Sequence, residues 1–236
     1  MSLKEIDLHD YVLYNIIETK ENLSLKMLPT SGAFSSIDEV NFTSPEILIN
    51  EVLPEDYGKV FWLRHNIYPY EGYYELQAVL KTQNGSAKKL IIRCVNILIK
   101  YDSVLEERKV YETWPRTPST IRWLSAKSRI RIAHKWMTAG YMNEMVKNNI
   151  FMAIREAIQA LYDKSGSCFA SFETLYQAFK RDYLESHIFG CVYSPLMLSL
   201  ESVNCPQEWE IDAEKIYPLC ADLVLDIKKY LQEQIS

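Results

Sequence analysis

The chain has 236 residues, 48% of them hydrophobic and 24% charged, the balance of a globular protein rather than a disordered one. At this length it forms one large domain or two small ones and buries roughly 70% of its unfolded surface without staples. A net charge of −5 argues against a surface that coats nucleic acid or membrane as a whole, and only seven glycines disfavour folds in which backbone cradles a phosphate.

Taken in chain order, residues 5–22 read as a short helix, with Ile6, Val12, Leu13, Ile16 and Ile17 near helical spacing. Strand signals follow. Leu23, Leu25 and Met27 alternate with Ser24 and Lys26, and Pro29 and Gly32 close the run. Phe34–Val40, Glu46–Asn50, Lys59–Arg64, Tyr73–Lys81 and Lys89–Lys100 supply the next strands, with Ser44-Pro45 as a turn. Asn84-Gly85 predicts a type I′ hairpin, whose two central residues both take positive φ. About six short strands with no helical pattern between them predict a small antiparallel barrel or sandwich, the barrel being the expectation.

The character changes near Pro115–Pro118, and helices dominate from Ser119 onward. Met142, Met145, Val146, Phe151, Ile154, Ile158 and Leu161 make one apolar helix face, ended by Ser165-Gly166. Phe172–Leu184 is a second helix with Ser171 as its N-cap. Phe189–Cys205 fits a strand or irregular structure. Asp212–Gln234 is a final helix whose start Pro218 displaces towards the C-terminus. The fold class is therefore α+β: a β-barrel domain with an N-terminal helix over 1–114, then a helical domain over 115–236.

The five cysteines are scattered, with no C-x-x-C among them, which fits buried thiols in a reducing compartment. Residues Met1 to Asp10 lack the apolar core of a signal peptide, and no run approaches the ~18 apolar residues of a spanning helix. The expectation is a cytoplasmic protein. His9, His65, His134 and His187 show no metal-ligand spacing, so no metal or cofactor is expected. A cysteine nucleophile would have to meet His134 or His187 through the fold. The sequence lacks G-x-S-x-G, G-x-x-x-x-G-K-[ST] and G-x-G-x-x-G, which favours a non-enzymatic protein.

One segment stands out. Lys109, Arg116, Arg122, Lys127, Arg129, Arg131 and Lys135 face only Glu112 in sequence, a local charge of +6 that leaves −11 for the remainder. Trp114, Trp123 and Trp136 are interleaved. Arginine forks pair with phosphate bidentately, and aromatic faces stack on bases or guanidinium groups. The segment therefore reads either as a contact for an anionic nucleotide or nucleic acid, or as a solvated helix face whose tryptophans pack into the core. The aromatic cluster Trp62, Tyr68, Tyr70, Tyr73 and Tyr74 likewise reads as a carbohydrate or peptide surface, or as the cap of the barrel.

The run Leu23-Ser-Leu-Lys-Met-Leu, then Phe34-Ser-Ser-Ile-Asp-Glu-Val, then Glu46-Ile-Leu-Ile-Asn-Glu-Val-Leu-Pro-Glu-Asp-Tyr-Gly resembles the N-terminal barrel of PilZ-type flagellar brake proteins over residues 10–105. The resemblance implies at most the N-terminal barrel, and in that family a following domain binds cyclic di-GMP through R-x-x-x-R and [DN]-x-S-x-x-G. Here the position four after Arg108 is Glu112, no [DN]-x-S-x-x-G follows, and the sequence beyond is helical. The family's ligand residues do not carry over, and Arg108 and Arg116 remain candidates on charge alone. Taken together, the expectation is a regulatory or adaptor protein binding an anionic ligand or a partner protein at the junction of its two halves, through Arg108, Trp114, Arg116, Arg122, Trp123, Arg129 and Arg131. The alternative is nucleic-acid binding by residues 109–136.

Overall fold

The structure, a computed structural model, describes residues 8–9, 11–30, 37–101, 113–141, 144–201 and 203–235. The chain divides into two compact units. The first carries the eight described strands and the second the five described α-helices.

The strands are β1 (Tyr11–Glu18), β2 (Asn22–Pro29), β3 (Ile37–Thr43), β4 (Glu46–Asn50), β5 (Val60–Tyr70), β6 (Tyr73–Thr82), β7 (Ala87–Cys94) and β8 (Asn96–Tyr101). They form one antiparallel sheet in the order β4-β7-β6-β5-β1-β2-β3-β8. The sheet is open, with β4 and β8 as its edges, and it has eight strands, so the six-stranded barrel is corrected on both counts. At the centre, β1 and β5 share only the pairs Val12↔Phe61 and Leu13↔Val60. Either side of that short seam lies a four-stranded half, and the inward side chains of both halves merge into one core that includes Leu25, Phe42, Ile97, Trp62, Leu80 and Ile92. Each such buried side chain contributes ~1.5–3 kcal/mol of transfer free energy.

Two miscounted elements have clear causes. Tyr11–Glu18 is a strand, not part of a helix. A register shift between Leu13 and Asn15 inserts one residue opposite β2, so the core-facing pair Leu13 and Ile16 comes three apart, as on a helix. Of the remainder of the expected helix, residues 5–7 and 10 fall outside the described residues, and residues 19–21 turn the chain into β2 at Asn22. Lys89–Lys100 is two strands, because the chain leaves the ladder with β6 at Cys94 and joins β3 from Asn96. At the junction the Val95 amide donates to the Thr43 carbonyl at 2.9 Å. The β6–β7 turn is also not type I′. Gly85 has φ +88° while Asn84 stays at negative φ, and the Gly85 amide donates to the Thr82 carbonyl at 3.0 Å. This is a three-residue loop in which glycine alone takes the left-handed position.

The helices are α1 (Pro118–Thr138), α2 (Glu144–Tyr162), α3 (Phe172–Phe179), α4 (Ser194–Leu200) and α5 (Ala213–Ile235). Thr117 caps α1, its Oγ1 accepting from the Thr120 amide at 3.2 Å, with Pro118 at the first helical position. Gly166, at φ +67°, ends the turn after α2. The predicted helix 172–184 is α3 followed by a π-helical turn, Lys180–Leu184. The ambiguous stretch 189–205 contains α4. The last helix starts at Ala213 despite Pro218. Proline there deprives only the Glu214 carbonyl of its intrahelical donor, one turn from the helix end. Buried Trp123, Trp136, Phe151, Ile154, Trp209 and Leu223 fill this unit's core.

Candidate functional site

The basic segment becomes the approach to α1 and α1 itself. Arg108 falls outside the described residues, as do Lys109 and Glu112. Arg116 is exposed just before the Thr117 cap. Arg122 and Arg129, two turns apart, both reach α2 and its end: Arg122 Nε donates to Asp163 Oδ2 at 2.7 Å, and Arg129 Nε to Glu156 Oε1 at 3.0 Å. Arg131 donates to the Ser128 hydroxyl at 3.1 Å. Trp123 is fully buried, its indole N–H donating to the Val224 carbonyl at 2.9 Å, with the Lys228 ammonium 5.5 Å above the ring. Two of the candidate arginines thus hold carboxylates of their own unit, and one of the two candidate tryptophans is core.

Trp114 is different. It is half-buried, packs at a tilt against Trp123 at 5.8 Å, and lines a cleft of about 750 Å³ within the helical unit. Its other walls come from the start of α1 (Thr117, Pro118, Thr120), the end of α2 (Leu161, Tyr162, Asp163), the π-turn (Tyr183) and the end of α5 (Tyr230, Leu231). Tyr183 meets Tyr162 edge-to-face at 5.6 Å and 89°, and Tyr230 at 5.6 Å and 88°. Phe179 stacks on Tyr183 at 5.7 Å, and Phe189 packs on both Tyr183 and Tyr230. These outer rings fix the inner ones. Wide π-turns of the kind that carries Tyr183 recur at functional sites.

The polar groups of the cleft are tied down. Asp163 is only 8% exposed at its side chain and accepts from Arg122, and from Gln159 Nε2 at 3.4 Å. The Tyr162 hydroxyl donates to Asp182 at 3.1 Å. Burial, reinforced by the Asp182 charge, raises the Tyr162 phenol well above its ordinary value. Burial, with Tyr230 beside it, pushes Tyr183 up to about 12. Arg181, bonded to Asp182 at 2.6 Å, is the main cause holding that carboxyl below the usual range. A solvated tyrosine would ionise near 10, so these remain neutral phenols at physiological pH.

A second, shallower cleft of about 240 Å³ brings Cys191 and His187 to one wall, both exposed. A nucleophilic cysteine requires its base in hydrogen-bond contact, and a shared wall is less than that. His134 instead stacks on Tyr217 at 5.7 Å, and His65 accepts from the Trp62 indole at 3.2 Å. Among the described residues no group of three His, Cys, Asp or Glu gathers as metal ligands would, and no helix is long and apolar enough to cross a membrane. In the sheet unit the aromatic cluster divides. Trp62 is core, while Tyr68 and Tyr70 are exposed near the β5–β6 turn, with Tyr70 stacked on Tyr73 at 4.7 Å and Arg93 over Tyr73 at 4.8 Å.

Among the described residues chosen from sequence, only Trp114 lines the large cleft. Tyr162, Asp163, Tyr183 and Tyr230 were missed because separate segments supply them. Their one local signal is a phenol beside a carboxylate in Tyr162-Asp163 and Asp182-Tyr183, a pairing that carries meaning only once the helices have packed. No protein-family model matches the chain, and neither does any curated protein or solved structure.

Proposed function

We propose that this is a cytoplasmic, non-enzymatic regulatory or adaptor protein whose helical unit captures a small ligand, or one side chain of a partner, in the Trp114–Tyr230 cleft. The observation that carries the reading is the wall itself: three tyrosine rings at right angles, braced from behind, around about 750 Å³. Fixed, largely apolar concavity with a few placed polar groups is the form ligand sites take. The regulatory half of the reading comes from the resemblance of residues 10–105 to flagellar brake proteins, although the sheet there is open and not the barrel that the resemblance implied. For an anion held by the basic segment the support is thinner, since Arg122 and Arg129 already hold Asp163 and Glu156.

The test is amide and indole NMR with three probe sets: neutral aromatic fragments, cyclic di-GMP and a short single-stranded oligonucleotide. The protein has five tryptophans, and Trp114→Phe assigns the reporting indole. Fragments that shift the Trp114 indole together with residues 162–163, 183 and 230 support the cleft. If only the nucleotide or oligonucleotide produces shifts, clustered on Arg116 and Arg131 and lost at high salt, the anion reading replaces it.

A further inference from the structure

The walls of the same cleft narrow the chemistry of what it holds. Tyr162, Tyr183 and Tyr230 form two adjoining right-angled corners, and the face of an aromatic ring carries the negative lobe of its quadrupole. A cation near several such faces is attracted to all of them, most strongly to tryptophan, and Trp114 belongs to the same lining. Among the described lining residues the one ionised side chain is an acid, Asp163. Arg122, which pairs with it, is 43% exposed at its side chain and is not in the lining. Arg122 offsets most of the Asp163 charge, so what the lining offers a cation is chiefly its ring faces, with Asp163 as the one negative group beside them.

The hydrogen-bond inventory then separates two kinds of cation. A primary ammonium brings three N–H donors that each need an acceptor on leaving water. Here both Asp163 oxygens accept from within the protein and the Tyr162 hydroxyl is bonded to Asp182, so a primary ammonium would meet chiefly neutral acceptors, the hydroxyls of Ser119 and Ser165 and the amide of Gln234. A quaternary ammonium has no donor to satisfy and spreads its charge over methyl groups, which suits ring faces. The volume exceeds what a trimethylammonium head needs, and Leu161, Pro118 and Leu231 supply an apolar wall for the attached chain.

We propose that the cleft of the helical unit binds a quaternary ammonium group, seated against Tyr162, Tyr183, Tyr230 and Trp114, with Asp163 as the nearby negative charge. This rests on the cleft being the binding site. The experiment titrates the full chain with choline, with free trimethyllysine and with the neutral isostere of choline in which a tert-butyl group replaces the trimethylammonium, reading the Trp114 indole and tryptophan fluorescence. Choline binding about tenfold or more tighter than its isostere is expected, with a further weakening of about tenfold in Trp114→Leu and in Tyr230→Leu, from the lost cation–π contact. Far-UV circular dichroism checks that each variant is folded, and Tyr68→Leu in the sheet unit should leave affinity unchanged. A preference for trimethyllysine over choline assigns the group to a methylated side chain of a partner, and the reverse preference to a small metabolite; both keep the proposal. Equal binding of choline and its isostere overturns the cation while leaving the cleft as a site for neutral ligands. Choline affinity that survives both ring substitutions in folded protein overturns the location. If no quaternary compound binds while neutral fragments do, the proposal falls and the cleft stands. If neither binds, both fall.

Discussion

Tyr183 sits where four aromatic contacts meet, and its proton is correspondingly hard to remove. Its phenol moves from 10.0 to about 12, and burial also raises Tyr162 and Tyr193, the latter bonded to Asp226 at 2.5 Å. Because the folded state holds these protons more tightly than the unfolded chain, their contribution to stability is complete below pH 10 and is lost at higher pH, for Tyr183 as pH rises through about 12. Phenolate absorbance should therefore rise in two stages, the exposed tyrosines first and the buried ones in step with loss of helical dichroism. Ionisation of all sixteen tyrosines near pH 10 with the helices intact would contradict the packing around Tyr183. At this scale the sequence is legible for tryptophan and much less so for tyrosine. Trp114 and Trp123 are conspicuous amid basic residues, whereas the value of Tyr183 depends on Phe179, Phe189 and Tyr230 arriving beside it.

Elements were readable where one residue pattern served one ladder. β2, β4 and β6 lie close to where alternation places them, and α2 and α5 follow their apolar faces. The failures lie at irregularities of backbone rather than of composition. The inserted residue near Tyr14 turned a strand's period into a helix's, and isoleucines on both sides of Arg93–Asn96 hid the change of ladder at Val95. Caps were the most dependable local sign. Ser171 Oγ accepts from the Thr174 amide at 3.2 Å, and Thr174 Oγ1 returns the contact to the Ser171 amide at 3.3 Å. Ser171→Ala should lower stability by about 1 kcal/mol, and Ser171→Asp should recover most of it. Urea unfolding followed by circular dichroism reads the difference. Two indistinguishable midpoints for wild type and Ser171→Ala would show that α3 holds its first turn without the cap.

For the molecule as a whole, the change of character near Pro115–Pro118 marks the start of the helices: the last described strand reaches Tyr101 and α1 opens at Pro118. The closure of the sheet was the part composition concealed. Alternating apolar residues specify which face of a strand is buried, but they do not say whether the first and last strands meet. That is set by twist and by the few bulges that bend each strand, which have no fixed residue signature.

An unclosed sheet leaves two rows of backbone donors and acceptors, and the two edges differ in how they are guarded. β4 has five residues, a register shift between Ile47 and Ile49, and a charged Glu46. β8 has six residues, its register shift falls only at its last pair and on the β3 side, and it offers Leu98 at 56% exposure and Tyr101 at 41% beside one charge, Lys100. A bulge within an edge strand resists a visiting strand, and an edge strand free of one, with exposed apolar side chains, invites it. Self-association into mispaired sheets should therefore begin at β8. Leu98→Lys should slow the growth of light scattering in concentrated protein on mild heating while changing folding stability by only about 0.5 kcal/mol, as expected for an exposed position, and Leu48→Lys on β4 should do much less.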